Sequence, residues 1–374
     1  MPDDERAAFV GVTSNVVVLD MALLESKHSQ RLLQFGFTLI FIGVLSIAEL
    51  RAQCAVPCTD AMKACLCVVD PSDAPVALTP FGSVLRQPAR IGQALSPGDQ
   101  LMSVREDAIA EVTCPGGSEI KLHGRFMAIV KPSAQGQDCV FDLLAGSADV
   151  LGAKPTQLEA GDTLMGSTTT QYGIRVRRTG ETLNVECVVF EGEAQVRYAN
   201  RWSRSIAEGG KTMWRQGTPD PAQARVNEQD VRATSNVYAR ADLARLRLRG
   251  ERPADPRALL NELNTQYASV MMRPRDAQAR IRLAALQTDL GNSSQVLYHL
   301  QRAEQTAPVP DAQRKAVAVM KYTALKRTGR DAEANVEIEK VRQLDPAEYQ
   351  RIRGLDPAKI RLADPALRDL RRLP

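Results

Sequence analysis

A repeated strand pair in the middle of the chain constrains its fold more than any other feature. One copy spans residues 139–165 and begins CVFDLLAGSADV, and the second spans residues 187–214 and begins CVVFEGEAQV. Each copy starts at a cysteine, alternates apolar residues up to a glycine, and returns through a second glycine turn. Period-two alternation interrupted by glycine is typical of short antiparallel strands. The pattern therefore predicts an all-β centre.

The region around these strands, residues 80–217, resembles the FecR domain, named for bacterial iron-dicitrate sensing regulators. The resemblance starts at Gly98-Asp99, which opens the segment GDQLMSVREDAIAEVTCPGGSEIKL. In LMGSTTTQYGIRV, Ser167 stands where the family has a threonine and Tyr172 takes the aromatic position. VFEGEAQV and IAEGG are similar to the family's last two strands and the turn between them. The resemblance implies a β-sandwich or a short β-roll.

The apolar period changes to a helical one beyond residue 217. Residues 218–254 are predicted to form a proline-rich linker and a first helix. Within residues 255–346, two segments resemble tetratricopeptide (TPR) repeats, which are pairs of antiparallel helices. Their turn glycines are Gly291 and Gly329, and a proline closes each segment. The predicted fold class is α+β by segregation, with the all-β domain followed by an all-α helical domain.

The TPR resemblance implies a groove for a protein partner. TPR proteins hold peptide segments on the concave face formed by the first helix of each repeat, and the repeat register places that face on two helices of this chain. The candidate groove residues are Gln278, Ile281, Ala285, Thr288 and Asp289 in the first repeat, and Val319, Thr323, Lys326 and Arg327 in the second.

The last residues, 347–374, are predicted to form a basic helical tail. Asp-Pro-Ala occurs there three times, and an aspartate N-cap followed by proline starts a short helix. A solvated capping face is the simpler interpretation. Contact with anionic lipid or with an acidic partner is the alternative.

The N-terminus predicts export. Basic residues precede the apolar run 35–48, and small residues follow it, as in a secretory signal peptide covering residues 1–52. Met21 gives a more ordinary starting point for such a peptide. Counted over residues 32–50, the run approaches the length of an uncleaved membrane anchor. Both interpretations place the bulk of the chain outside the cytoplasm: periplasmic or secreted in the first, and anchored in the inner membrane in the second.

Seven cysteines fit an oxidising compartment. Four of them fall in a Cys-rich segment, residues 53–79, where two local disulfides, a metal site and lipidation of Cys54 are the alternatives. Cys139 and Cys187 hold equivalent places in the two copies, so they pair only if their Cα atoms lie within ~7 Å. Cys114 is expected to be buried and unpaired. The candidate disulfide cysteines are Cys54, Cys58, Cys65, Cys67, Cys139 and Cys187.

No catalytic motif is present in the sequence. The chain lacks a G-x-S-x-G elbow, a phosphate-binding loop and a dinucleotide fingerprint. His123 and His299 have no second ligand at metal-binding spacing. A net charge of +4 without a dense basic stripe argues against nucleic-acid binding. We therefore expect no enzyme activity, no cofactor and no bound metal.

Three functions remain open from the sequence. The first is a non-enzymatic cell-envelope protein that joins a FecR-like β domain to a TPR-like adaptor for a protein partner. The second is a membrane-anchored envelope sensor of the FecR type, with membrane contact through the N-terminal segment or the basic tail. The third is a carbohydrate-binding or hydrolytic envelope protein.

Overall fold

A computed structural model describes residues 64–69, 76–132, 139–152, 156–167, 171–198, 202–216, 218, 221–357 and 360. The predicted signal peptide, its alternative as an anchor, and most of the basic tail lie outside these residues. Within the described part of the chain, no helix is both long enough and apolar enough to cross a bilayer.

The first half of the described chain is one large sheet. Its strands are antiparallel to their neighbours except for β8 and β9, which run parallel. The strands are β1 (Ala64–Val69), β2 (Ala77–Thr79), β3 (Gln87–Pro88), β4 (Ala94–Leu95), β5 (Gln100–Ser103), β6 (Ile109–Thr113), β7 (Glu119–Lys131), β8 (Val140–Leu151), β9 (Thr156–Ala160), β10 (Thr163–Ser167), β11 (Gln171–Thr179), β12 (Thr182–Glu191), β13 (Glu193–Tyr198), β14 (Trp202–Ala207), β15 (Gly210–Arg215) and β16 (Ala222–Arg225).

The long strand β8 organises this sheet. One of its edges pairs with β7 along nearly its whole length. The other edge pairs with β9 near its start and with β11 from Gly146 onward. The strand bends at Gly146, which has a φ of 92°. A Cβ atom there would lie 2.6 Å from the Cβ of Phe126, so only glycine permits this bend.

The predicted all-β centre is confirmed, and its two copies differ in one detail. Gly161 and Gly209 lie in the turns β9–β10 and β14–β15, as the repeat pattern predicts. Gly192 separates β12 from β13, whereas its counterpart Gly146 lies inside a continuous strand. Equivalent glycines therefore serve as a break in one copy and as a bend in the other.

Seven helices follow the sheet in the described residues, which confirms the segregated α+β class. Six of them form three antiparallel hairpins, α1/α2, α3/α4 and α5/α6, and α7 packs on α6. Glycines with positive φ follow the first helix of each hairpin. The helices are α1 (Glu228–Leu248), α2 (Pro256–Met272), α3 (Ala277–Asp289), α4 (Ser293–Thr306), α5 (Asp311–Arg327), α6 (Asp331–Leu344) and α7 (Pro346–Ile352).

Local sequence sets the helix boundaries. Asp255 caps α2 by accepting hydrogen bonds from the backbone amides of Arg257 and Ala258, and Pro256 takes the first helical position. Asn227 and Asp230 form a reciprocal capping box at the start of α1. These caps satisfy amides that have no partner inside the helix.

Three large apolar clusters hold the described chain together, and a small one joins Ile109 of β6 to Val237 and Ala241 of α1. The first lies within the sheet and the second within the last two hairpins and α7. The third joins the halves, because Leu151, Val188 and Phe190 of the sheet pack with residues of α1, α2 and α3. Residues 49–374 accordingly form one unit. The sheet also takes in β1, from the segment 53–79, and β16, from the segment 218–254.

Candidate partner groove and the sheet–helix junction

Most of the groove residues predicted from the repeat register are buried. Gln278, Ile281, Ala285, Thr288 and Asp289 all lie on α3, and Val319, Thr323, Lys326 and Arg327 lie on α5. Ile281, Ala285, Thr288, Val319 and Thr323 are buried, and the three apolar ones belong to the core of the last two hairpins. The structure therefore brings α3 and α5 together, but it leaves these five side chains with no surface to offer a partner.

The chain's own C-terminal segment covers part of this face. The guanidinium of Arg327 donates to the carbonyl oxygens of Pro357 (3.1 Å) and Ile360 (3.2 Å), and also to that of Thr288 on α3 (3.0 Å). Ile360 is buried in the same core. The sequence pattern gave no signal that a residue beyond the last repeat would return to this face.

The remaining predicted groove residues are partly exposed and mostly engaged with neighbours. Gln278 accepts a hydrogen bond from Gln313 at 2.8 Å. Lys326 forms an ion pair with Asp331 at 2.5 Å, and this carboxylate raises the pKa of the lysine. These contacts tie adjacent helices to each other.

An open groove lies instead along the seam of α4, α5 and α6. Its volume is about 400 Å³. Apolar side chains form the floor and charged side chains form the rim. The lining consists of Glu304, Ala307, Pro308, Val309, Arg314, Val317, Ala318, Glu337, Lys340, Gln343 and Leu344. We call it the α5/α6 groove.

The rim charges of the α5/α6 groove are paired within the chain. Glu304 binds Lys321 at 2.6 Å, and Glu337 binds Lys340 at 2.8 Å. Arg314 pairs with Asp311 at 2.9 Å. Leu344 stays 49% exposed at the groove edge. The groove thus offers apolar area without an uncompensated charge.

A second concentration of polar side chains is buried where the sheet meets α1. Lys121 of β7 is only 1% exposed and pairs with Glu111 at 2.9 Å and with Glu119 at 3.1 Å. Its ammonium also lies 4.3 Å from the ring centroid of Tyr238 on α1. Arg245, on the same helix, binds both carboxylates. We call this set the Lys121 cluster.

The electrostatics of the Lys121 cluster favour the charged state. Burial lowers the pKa of Lys121, but the neighbouring Glu119 carboxylate opposes this and the net pKa is raised. The lysine therefore remains protonated at neutral pH. A buried ion is tolerated when opposite charges and hydrogen bonds surround it.

Asp242 of α1 lies beside this cluster and is fully buried. It accepts hydrogen bonds from the Tyr267 hydroxyl at 2.7 Å and from the Gln287 amide at 2.6 Å. Burial raises the pKa of Asp242 to about 6, although Lys121 and these hydrogen bonds act in the opposite direction. This carboxyl group links the first hairpin to the second.

Glu191, at the end of β12, fixes the second hairpin to the sheet. It pairs with Arg280 of α3 at 2.8 Å and with Arg302 of α4 at 2.5 Å. The hydroxyl of Tyr298 on α4 donates to it at 2.9 Å. One buried carboxylate thereby receives contacts from two helices.

The N-terminal end of α1 is held in a similar way. Asp230 pairs with Lys211 of β15 at 2.9 Å and with Arg175 of β11 at 3.0 Å. Arg175 also donates to the Thr234 hydroxyl. Burial raises the pKa of Asp230, but its hydrogen bonds and the two cations outweigh burial, and the net pKa is lowered.

The two histidines among the described residues, His123 and His299, contact neighbouring side chains as structural residues do. Nε2 of His123 lies 2.8 Å from the Asp149 carboxylate. His299 is buried, and burial lowers its pKa well below the ordinary value. Among the described residues, no three His, Cys, Asp or Glu side chains come together as a metal site would require.

Cys139 forms a disulfide, as predicted, but its partner is Cys114 and not Cys187, so the expectation that Cys114 is unpaired is wrong. Cys114 and Cys139 form a disulfide, with their Cα atoms 5.7 Å apart. Cys187 is a free, buried thiol, and burial raises its pKa to about 12. Equivalence in the sequence repeat does not place two residues side by side, because β8 and β12 are separated by β11. The side chains of Cys54, Cys58, Cys65 and Cys67 lie outside the described ones.

Sequence analysis missed the junction as a whole. Its helix contribution is a row at helical spacing, Asp230, Thr234, Tyr238, Asp242 and Arg245. That row was visible, but polar residues at this spacing usually mark a solvated helix face. The row is buried because it faces charged side chains on β7, β11, β12 and β15. The strand order of the sheet brings these four strands together, and the sequence pattern does not reveal that order.

Comparison with known proteins gives a partial likeness. No protein-family model matches the chain, and no curated protein sequence matches it. Among solved structures, it is similar to two crystal structures of a putative anti-sigma factor from Parabacteroides distasonis ATCC 8503, with TM-scores of 0.31 and 0.30 at 11% sequence identity. The matches cover 36% of this chain, and 62% and 63% of those chains. The chain thus spans less than two thirds of their length.

Proposed function

We propose that this protein is a non-enzymatic, exported cell-envelope protein in which the third helical hairpin binds a segment of another protein. The proposal keeps the FecR-like and TPR-like interpretation of the two halves. The observation that carries it is the α5/α6 groove, an open site of about 400 Å³ with an apolar floor. Grooves of this size and character are ordinary binding sites.

The lining of the groove defines the chemistry of the partner. Ala307, Val317 and Ala318 leave space between helices, and Leu344 adds exposed apolar area at the edge. Because the rim charges already have partners, a ligand with a strong charge gains little there. The occupant that fits best is a peptide segment with one or two apolar side chains, as in helix-in-groove recognition.

The rest of the molecule supplies rigid support. The first two hairpins are joined to the sheet by the Lys121 cluster and by the contacts of Glu191. The third hairpin belongs to a core whose described members are all helical or C-terminal. A binding element carried on a fixed base loses less conformational freedom when its partner docks.

Position-specific photo-crosslinking in cells tests the proposal. A photo-reactive residue replaces Leu344 in one strain and Val336 in another. Val336 is the matched control, because it lies on the same helix, is 58% exposed and does not line the groove. We expect a crosslinked protein of defined mass at position 344 and none at position 336.

A pair of charge substitutions makes the same comparison by affinity. Leu344→Glu places a carboxylate at the groove edge and is expected to abolish co-purification of the crosslinked protein. Val336→Glu is expected to leave it unchanged. Equal crosslinking at both positions, or binding that survives Leu344→Glu, would refute a partner site in the α5/α6 groove.

A further inference from the structure

The three most exposed large apolar residues among the described ones lie in one loop. Phe81 is 78% exposed, Val84 is 94% exposed and Leu85 is 75% exposed. All three lie in residues 80–86, between β2 and β3, which we call the apolar loop. Single exposed apolar residues are normal on a protein surface, but three large ones within five positions are not.

Hydrogen bonds hold the apolar loop in place. The carboxylate of Asp99 accepts from the Phe81 amide at 2.9 Å and from the Ser96 amide at 2.8 Å. The Ser83 amide donates to the Pro80 carbonyl at 2.9 Å, which closes a turn around Gly82. Asp99 is buried although its neighbours are not. Backbone hydrogen bonds therefore fix the loop, while its three large apolar side chains stay mostly exposed.

Basic residues flank this apolar tip. Arg86 and Arg90 are both exposed, and neither has an ion pair with any described residue. The buried carboxylate of Asp99, which holds the loop, accepts from backbone amides. The loop thus combines an exposed apolar tip with two cations that pair with no carboxylate among the described residues.

We infer that the apolar loop inserts into the surface of a lipid bilayer that contains anionic headgroups. Apolar side chains enter the boundary between headgroups and acyl chains, while nearby arginines bind the headgroup phosphates. Among the described strands β3 pairs with β2 alone, so the loop lies at an edge of the sheet. The unpaired arginines favour an anionic lipid surface over an apolar pocket in another protein. This inference does not depend on the α5/α6 groove.

Tryptophan placed in the loop provides a local test in the full chain. Phe81→Trp is compared with Val104→Trp. Val104 is 72% exposed, but it follows the last residue of β5, whereas the apolar loop follows Thr79, which pairs with the first residue of β5. Each variant is mixed with vesicles of phosphatidylethanolamine and phosphatidylglycerol whose acyl chains carry bromine. The wild-type signal, from Trp202 and Trp214, is subtracted. This readout reports loop depth even if the N-terminal apolar segment holds the chain on the vesicle.

We expect the tryptophan at position 81 to shift to shorter wavelength and to be quenched, and the tryptophan at position 104 to show neither change. Equal behaviour at the two positions would overturn the inference. Arg86→Gln combined with Arg90→Gln is expected to reduce loop quenching at least tenfold at limiting lipid. Quenching of the tryptophan at position 81 that is as strong in phosphatidylcholine vesicles would overturn the role of the arginines.

Discussion

The first two helical hairpins and the third hairpin differ in what they pack against. The first two meet the sheet through buried ions, which include Lys121, Glu191 and Arg280. The third hairpin packs on the second through alanine, valine and leucine side chains, and its ion pairs lie mainly at the surface. A buried ion that loses its partner is strongly destabilising, so a junction of buried ions favours one arrangement of the helices on the sheet. The apolar contact between the second and third hairpins carries no such constraint and leaves room for a groove.

The largest expected effect in this comparison comes from breaking the Lys121 cluster. Lys121→Ala leaves Glu111 and Glu119 buried, with Arg245 as the one remaining cation that pairs with them among the described residues. Removal of one member of a buried ion pair typically costs about 3–5 kcal/mol in the free energy of unfolding. Urea denaturation measures this loss. Lys326→Ala, which breaks an exposed pair in the third hairpin, is the control and is expected to change little.

An unfolding midpoint for Lys121→Ala equal to that of the wild type would contradict a stabilising junction. It would mean that solvent reaches the two carboxylates readily. The first two hairpins and the third hairpin would then differ in their packing geometry, but the buried ions would add nothing to the free energy of unfolding.

A smaller effect is expected from the ionisation of Asp242. Its pKa is raised to about 6 in the folded protein, from an ordinary 3.8, so the folded state binds the proton more tightly than the unfolded state does. The contribution of this group to stability is therefore full below the unfolded pKa and is lost as pH rises through the folded pKa. The loss corresponds to about 3 kcal/mol.

Asp242→Asn provides the comparison. We expect the wild type to lose stability relative to this variant between about pH 4 and about pH 7. Asp230→Asn is the matched control, because the pKa of Asp230 is lowered and its stabilising contribution is instead lost as pH falls. If both variants show the same pH dependence relative to the wild type, the opposite environments assigned to these two carboxylates are wrong.

The smallest effect concerns the C-terminal end of the helical half. Arg327→Ala removes hydrogen bonds to three carbonyl groups, those of Thr288, Pro357 and Ile360. Partly exposed hydrogen bonds of this kind contribute about 1–2 kcal/mol together, because water replaces them in part. We expect trypsin to cleave the tail faster in this variant, as followed by intact mass.

Arg342→Ala is the control for the tail experiment, since Arg342 pairs with Glu339 on the exposed surface of α6. It is expected to leave the cleavage rate unchanged. Equal rates for Arg327→Ala and the wild type would show that Arg327 does not hold the C-terminal segment.

Sequence analysis predicted what depends on local patterns. Period-two alternation located the β strands of the centre, and Gly291 and Gly329 marked two of the three hairpin turns. Each of these signals is contained in a few consecutive residues, so no knowledge of the fold is needed to recognise it.

What sequence analysis missed depends on contacts between distant residues. Cys114 follows a strand that ends beside Glu119 of β7, whereas Cys139 precedes a strand that begins beside Lys131, at the other end of β7. Their disulfide therefore depends on how the whole sheet folds. Arg245 meets Glu111 because α1 crosses the sheet at the position of β6. Ile281 and Ala285 were placed on the inner face of α3, but a neighbouring helix and the C-terminal segment bury that face. The strand order and the path of the tail decide these points.

The central claim is that the sheet and the helical half fold as one unit through the junction. Both tryptophans, Trp202 and Trp214, lie in the sheet, so their fluorescence reports the unfolding of that half. Circular dichroism at the helical band reports the other half. Urea titration followed by both signals on one sample is the most direct test. Coincident transitions are predicted, and helical signal lost at a clearly lower urea concentration than fluorescence would contradict the account.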